Sequence, residues 1–343
     1  MGICRVQQGT GISLLFILLM VGLSCAEQKN EEVLDQIDPF EINKENLEMH
    51  LSVLAHDSLQ GRETGTDGIE KAAQYIEAQF QRIGLKAIND TIGFRQWYFI
   101  YDSVPAFNVI GMIEGDSLKD EYVVISGHYD HLGIGGSIDT DSIYNGADDN
   151  GSGTAAILVI AEKMFRSKLQ GNGPKRNVVF MLFSGEEKGL LGSEYFADHS
   201  LLDLEKVSID VNIDMIGRID TERKTADTAN YVHVVGASKM SSELPHILDQ
   251  VNGEHSLVLD GKFDEPNDRH RIFYRSDHFN FAKKGVPILF FYDGMLEGDY
   301  HELTDHIEFI DWEVYEKRSA FIYDFISICA NRPNLLKRDI PFE

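Results

Sequence analysis

The sequence predicts an α/β fold: a single doubly wound domain with a mixed, mostly parallel central sheet flanked by helices. Apolar, β-branched runs of the kind found in buried parallel strands recur along the chain, as in YVVIS, NVVFMLF and VSIDVNI. Segments with helical spacing alternate with these runs, which indicates helices packed against one sheet. The connection between residues 87 and 106 is too short to hold an inserted domain.

The composition is that of an ordinary globular protein, with 343 residues, 43% of them hydrophobic and 25% charged. The formal net charge is -25, which argues against nucleic acid or anionic lipid as the main partner.

Residues 1–26 are predicted to be a signal peptide. The apolar run 12–23 follows Arg5 and is too short to span a bilayer comfortably. We favour a lipoprotein-type signal with Cys25 as the lipidated residue, although Gly22 is atypical of that motif; ordinary cleavage and an uncleaved anchor are the alternatives. Each interpretation places the folded chain outside the cytoplasm, periplasmic or at the cell surface. Residues 27–43, polar and acidic, are predicted to be a tether, and residues 44–343 the folded domain.

The cysteines indicate a fold that does not depend on disulfides. Cys4 lies in the predicted signal peptide and Cys25 at its end, while Cys329 is predicted to be a buried thiol in the last helix.

The first helix with a clear apolar face is predicted at residues 67–82, with Gly84 as its C-cap. The Gly-rich loop before it contains Arg62, which is predicted to pair with a surface acid rather than to reach a functional site. Further strands are predicted at 94–99, 106–113, 122–126, 231–235, 256–259 and 285–292, and further helices near 242–251 and at 311–329.

Acidic residues and histidines follow several of the predicted strands. His128, Asp130, Glu186, Glu187 and Asp214 should therefore crowd the carboxyl edge of the sheet, where open α/β sheets bind ligands. Such a cluster is either a metal site or a large electrostatic cost. Each residue alone also has an ordinary explanation, such as a structural histidine or a solvated acidic first turn of a helix.

The Gly-rich segment NGADDNGSG adds Asp149, and Tyr300-His301 adds a second imidazole. Alone, Asp149 is more simply a turn or N-cap residue, and a calcium loop here would miss the EF-hand spacing. Taken together, the residues supply five metal ligands from strand ends and adjacent loops. With Asp149 bridging, each of two metals would receive one histidine, one further carboxylate and the shared aspartate, a mixture that suits zinc. The five predicted ligands are His128, Asp149, Glu187, Asp214 and His301.

The order of motifs HYDHLG, GADDNGSG, FSGEEKGLLGSEYF, NIDMIGR, RSDHFNFAKKGVP and YHELTD is similar to that of the co-catalytic zinc exopeptidases of metallopeptidase family 28, over about residues 47–330. The resemblance implies the zinc exopeptidase (phosphorylase/hydrolase-like) fold and two Zn²⁺ per chain. By resemblance, one zinc takes His128 and Asp214, the other takes Glu187 and His301, and Asp149 bridges them.

The resemblance also implies catalytic roles. Glu186 would be the general base, Asp130 the partner that orients His128, and Tyr300 a residue that steadies the oxyanion. Asp277 and His278 lie in the family's SDH stretch and receive no role.

The implied activity is that of an extracytoplasmic aminopeptidase that hydrolyses amino-terminal residues from peptides through a metal-activated water. The substrate would be a peptide, and the membrane would be met only through the amino-terminal lipid anchor. The alternatives are a glutaminyl-cyclase-type acyl transferase with one zinc, a carboxypeptidase or dipeptidase with a cationic pocket, and a non-enzymatic surface binding protein. The candidates for the cationic pocket are Arg269, Arg271 and Arg275.

Overall fold

The computed structural model describes residues 1–2, 40–138, 141–225 and 229–342. Residues 3–26 of the predicted signal peptide and residues 27–39 of the predicted tether therefore lie outside the described residues. Residues 40–43 are described, and Ile42 is buried in the main core with Phe40 packed against that core.

Within the described residues, eight strands form one sheet, and two more form a separate hairpin. The strands of the sheet are β1 (Arg95–Ile100), β2 (Val104–Ile113), β3 (Leu118–His128), β6 (Arg176–Phe183), β7 (Val207–Ile213), β8 (Tyr231–Val235), β9 (Val258–Asp260) and β10 (Ile288–Tyr292), and those of the hairpin are β4 (Ile134–Ile138) and β5 (Asp141–Ile143). The order in the sheet is β1-β2-β6-β3-β7-β10-β8-β9. The pairs β3–β6, β3–β7, β7–β10 and β8–β9 are parallel, and the pairs β1–β2, β2–β6 and β8–β10 are antiparallel. The sheet is therefore mixed and mostly parallel, as predicted.

Successive residues of a strand point to opposite sides of the sheet, so an apolar strand makes both faces of the sheet apolar. Helices cover both of these faces. In β6, Val178 and Phe180 belong to one apolar core, whereas Val179 and Met181 belong to the other. The larger core contains residues of α1 (Lys44–Leu54), α2 (Asp67–Ile83), α3 (Gly153–Leu169), α5 (Leu244–His255) and α7 (Trp312–Asn331), and the smaller core contains residues of α4 (Leu191–Asp198) and α6 (His278–Lys283).

The predicted helix at residues 67–82 is confirmed as α2. Its apolar stripe is buried, and Gly84 ends it at a φ of 103°, a left-handed conformation that glycine adopts without strain. The predicted closing helix is α7; Cys329 is buried there, whereas Trp312 is only partly buried. None of the described helices is both long and apolar enough to cross a membrane.

The parallel central strands end at one level, which sets the position of the site. His128 of β3 pairs with Phe183 of β6, and Ser126 of β3 pairs with Asn212 of β7. The residues that follow β3, β6 and β7 therefore meet at the same edge of the sheet.

Candidate metal centre

The five predicted metal ligands come from three strand ends and two loops. His128 is the last residue of β3, Glu187 lies in the turn after β6, and Asp214 directly follows β7. Asp149 lies in an irregular turn before α3, with a non-helical φ of -98° and ψ of 102°. His301 comes from the loop after β10 at a φ of 58°.

These five side chains form two donor sets that share Asp149. In the first set, His128 Nε2 lies 3.2 Å from Asp214 Oδ1 and 3.4 Å from Asp149 Oδ1. In the second set, His301 Nε2 lies 3.1 Å from both Asp149 Oδ2 and Glu187 Oε2. Each carboxylate oxygen of Asp149 thus belongs to a different set.

The spacing of the donors fits zinc. Four ligands held at about 2.0–2.1 Å in a tetrahedron lie roughly 3.3 Å from one another, close to the 3.1–3.4 Å between the histidine nitrogens and the carboxylate oxygens of the two sets. The nitrogen and oxygen atoms present are also ligands that zinc accepts. We therefore find the residues of both sets suited to a divalent metal.

The charge of the cluster also favours a cation. Burial lowers the pKa of His301, but Asp149 and Glu187 outweigh burial and raise that pKa to about 10. Burial likewise opposes protonation of His128, yet Asp214 and the other nearby carboxylates raise its pKa well above the usual value. The nearby carboxylates thus favour positive charge at both imidazoles, and a bound divalent metal would supply positive charge at the same place.

Asp130 connects the first donor set to the turn that holds Glu186. The Nδ1 atom of His128 lies 3.1 Å from the backbone oxygen of Asp130 and 3.7 Å from its carboxylate. That carboxylate accepts hydrogen bonds from the hydroxyl of Thr64 and the backbone N–H of Gly185, both at 2.8 Å. The backbone of Asp130 therefore orients the imidazole, while its side chain fixes the turn after β6.

Glu186 lies beside the donor sets, in a cavity at the sheet edge. One of its oxygens is within 4.8 Å of ligand atoms of His128 and Asp214. Burial raises the pKa of Glu186 well above its usual value; His128 opposes this rise, while Glu187 adds to it. A part-buried carboxyl group with a raised pKa is suited to take up and release a proton.

The other residues that line the cavity are largely apolar, with two polar side chains, Tyr300 and Arg275, among them. The ring of Tyr300 stacks on His301 with 3.9 Å between centroids, and its hydroxyl accepts a hydrogen bond from Arg275 at 3.1 Å. Arg275 lines this cavity, whereas Arg271 stacks over Tyr274 and lines a separate groove. The apolar lining residues are Met215, Ile272, Phe290, Tyr292 and Leu296.

The prediction that Arg62 pairs with a surface acid is wrong. Its side chain is buried and donates hydrogen bonds to the backbone oxygens of Leu54, Tyr129, Asn145 and Gly146. Arg62 therefore holds the turn that precedes Asp149 against the segment that follows His128. Sequence gave no signal for this role, because the acceptors are backbone atoms from three separate segments.

Two further residues at the site were not identified from the sequence. Asp305 accepts hydrogen bonds at 3.0 Å from the backbone N–H groups of Asp148 and Asp149. His131 lies with its Nδ1 atom 2.9 Å from Glu187 Oε1. The second histidine of HYDH was a visible signal for His131.

His278, to which the sequence assigned no role, is buried away from the donor sets. Its Nε2 atom lies 2.9 Å from the backbone oxygen of Phe273, and burial lowers its pKa to about 3.

Comparison with known proteins places this site in a family. The model described as Peptidase family M28 matches residues 108–326. A "Probable zinc metalloprotease" of Pyrenophora teres f. teres is 28% identical over 225 residues, which cover 62% of this chain and 47% of that protein. Aminopeptidase YwaD of Bacillus subtilis is 26% identical over 244 residues, which cover 68% of this chain and 47% of that protein. The chain spans about half the length of these two relatives.

A solved structure shows the same fold. BSAP, a zinc aminopeptidase from Bacillus subtilis, matches with a TM-score of 0.63 at 17% sequence identity, over 89% of this chain and 99% of that chain. At this identity the likeness concerns the fold alone. The family model, however, covers well over half of the sequence, and the chain therefore belongs to peptidase family M28.

Proposed function

We propose that this chain is a di-zinc aminopeptidase that removes amino-terminal residues from peptides. The observation that carries the proposal is the pair of donor sets that share the two oxygens of Asp149. Membership of the M28 family supports zinc and a peptide substrate, and the name of the relative aminopeptidase YwaD supports action at the amino terminus.

The chain would hold one zinc with His128 and Asp214, the second with Glu187 and His301, and both with Asp149. Zinc, when bound, would act as a Lewis acid and lower the pKa of a coordinated water to about 7. His128 can bind zinc through Nε2 only if its ring is held in one orientation. The backbone oxygen of Asp130, within hydrogen-bond distance of Nδ1, holds the ring in this way.

Glu186 would be the general base and would later return the proton to the leaving amine. Its position in the cavity and its raised pKa support both roles, because a carboxyl group of higher pKa holds the proton between the two transfers. The backbone N–H of Glu186 lies 3.3 Å from Asp130 Oδ1, which helps to fix the turn. Tyr300, which lines the same cavity, would steady the oxyanion with its hydroxyl.

The test is cleavage of a panel of aminoacyl anilides by the folded chain, with zinc removed by chelation and then restored. We expect zinc-dependent release and two zincs per chain. Glu186→Gln should keep both zincs and lose about 10²–10⁴-fold in kcat, the usual contribution of a general base. Glu194→Gln, at a half-exposed glutamate of α4, is the matched control and should retain activity. Wild-type turnover in Glu186→Gln would contradict the assignment, and a single zinc per chain would favour a cyclase.

A dipeptidase or carboxypeptidase is the second candidate, and the position of Arg275 favours it. Of the three arginines considered from the sequence, Arg275 is the one that lines the cavity of the metal centre. Its guanidinium would suit a substrate carboxylate. Peptides with free and amidated carboxyl ends distinguish the two functions, because cleavage of the amidated peptide requires only a free amino terminus.

We also propose an extracytoplasmic location, periplasmic or at the cell surface, with a lipid anchor at Cys25. Its support is the sequence of residues 1–43, in which a short apolar run precedes the cysteine and a polar segment follows it.

A further inference from the structure

His131 is a buried histidine at the metal centre that the proposed reaction does not use. Its side chain follows β3, beyond His128, and its solvent exposure is 1%. The Nδ1 atom lies 2.9 Å from Glu187 Oε1, a hydrogen-bond distance. Within the described part of the chain, its Nε2 atom has no hydrogen-bond partner. The ring therefore has one polar contact among these residues, and this contact is to a proposed zinc ligand.

The two oxygens of Glu187 face different histidines. Oε2 belongs to the donor set, at 3.1 Å from His301 Nε2. Oε1 faces His131, whose Nδ1 lies 3.9 Å from Asp149 Oδ2, too far for a hydrogen bond. His131 thus contacts the carboxylate oxygen of Glu187 other than the one that faces His301.

We propose that His131 is a positioning residue for the second zinc. With a proton on Nδ1, it donates to Glu187 Oε1 and leaves Oε2 as the ligand, so that Glu187 binds through one oxygen in a fixed orientation. The inference deepens the proposed di-zinc function and rests on it. It assigns to this chain a metal-tuning contact on a carboxylate ligand, beyond the five ligands themselves.

The surrounding packing holds the ring in this position. A Cβ atom added to Gly146 would lie 2.5 Å from Cδ2 of His131, so that glycine, at a φ of 55°, makes room for the imidazole. The rings of His301 and Tyr144 approach edge-on, with centroid distances of 5.9 and 6.4 Å. His131 is therefore wedged between the turn that leads to Asp149 and the ligand His301, and it has little freedom to leave Glu187.

The first donor set does not depend on this contact. His128 is oriented by the backbone of Asp130, and Asp214 follows β7. The loss of the His131 hydrogen bond should consequently weaken the binding of one zinc and leave the binding of the other unchanged. Loss of a hydrogen bond to a metal ligand typically costs about 10–100-fold in metal affinity.

The experiment compares two substitutions of nearly equal shape in the full chain. Asparagine can place an N–H donor close to the position of Nδ1, whereas leucine cannot. Zinc per chain and the two zinc affinities are measured by titration against a competing chelator, and cobalt substitution reports each site by its absorption spectrum. His131→Leu should keep one affinity and lose about 10–100-fold in the other, and His131→Asn should recover most of the loss. His255→Leu, at a part-buried histidine of α5 paired with Asp324, is the matched control and should bind like the wild type.

The outcomes separate this inference from the proposed function. A wild-type chain with a single zinc would overturn both. Two zincs in the wild type, with unchanged affinities in His131→Leu, would overturn the role of His131 alone. Equal loss of affinity for both zincs, in His131→Leu and in His131→Asn alike, would also overturn it. Such a result would indicate a general packing defect, which affects both sites and is not repaired by the restored N–H donor.

Discussion

Replacement of Arg62 by methionine tests whether this buried arginine supports the metal centre. The guanidinium lies 2.6 Å from the backbone oxygens of Leu54 and Asn145, 2.9 Å from that of Gly146 and 3.0 Å from that of Tyr129. Methionine has a similar length and would fill part of the space, but it would leave all four carbonyl groups without this donor. The change therefore removes hydrogen bonds and a charge with little change of shape.

The expected loss follows from two opposing quantities. Four hydrogen bonds from a charged donor contribute about 1.5–3 kcal/mol each, or roughly 6–12 kcal/mol in total. Burial lowers the pKa of Arg62 from 12.5 to about 10, although Asp149 and other carboxylates oppose the shift. A net change of this size means that holding the charge at this site, after the attraction of those carboxylates, costs about 3 kcal/mol. Since water would reach some of the abandoned carbonyls, we expect Arg62→Met to lower the free energy of unfolding by about 3–5 kcal/mol.

Urea unfolding of the zinc-free chain at neutral pH measures this free energy. Arg62→Lys keeps the charge with fewer donors and should show a smaller loss. Arg269→Met, at an exposed arginine of the surface loop before α6, is the control and should change stability little. A loss below about 1 kcal/mol in Arg62→Met, the scale of an ordinary surface change, would refute the account of Arg62 as the support of the Asp149 turn.

Two further predictions concern Tyr300 and His50. Tyr300→Phe keeps the stack on His301 and removes the hydroxyl; we expect unchanged zinc content and a kcat at least about 10-fold lower, the effect of one hydrogen bond, and an unchanged kcat would exclude the oxyanion role. His50 is buried, with Nδ1 2.7 Å from the Tyr75 hydroxyl, and burial lowers its pKa from 6.5 to about 4. The unfolded chain therefore binds a proton first as the pH falls, so stability is lost between pH 6.5 and about 4. Between these pH values, His50→Gln should lose about 3 kcal/mol less of its free energy of unfolding than the wild type, as measured by urea unfolding. Equal dependence of stability on pH in variant and wild type would contradict the lowered pKa of His50.

The structure brings the five candidate metal ligands together as expected, because three of them end or follow predictable strands. His128 and Asp214 stand at the ends of apolar runs, and the parallel pairing of β3, β6 and β7 brings such ends to one edge. The helix at residues 67–82 and its Gly84 cap were predictable for a similar reason, since both are encoded locally. The position of His301 was harder to predict from the sequence, because its loop lies far along the chain and returns to the site only in the folded domain.

The sequence by itself thus determined the fold class, the edge of the sheet that carries the candidate site, and the chemical nature of the candidate ligands. Only the tertiary structure decided the division of the Asp149 oxygens between two donor sets, the placement of Arg275 at the cavity, and the supporting contacts of Arg62 and His131. The physical reason is that strand periodicity and caps depend on neighbouring residues, whereas a hydrogen bond to a distant backbone oxygen or to one particular carboxylate oxygen depends on how separate segments pack.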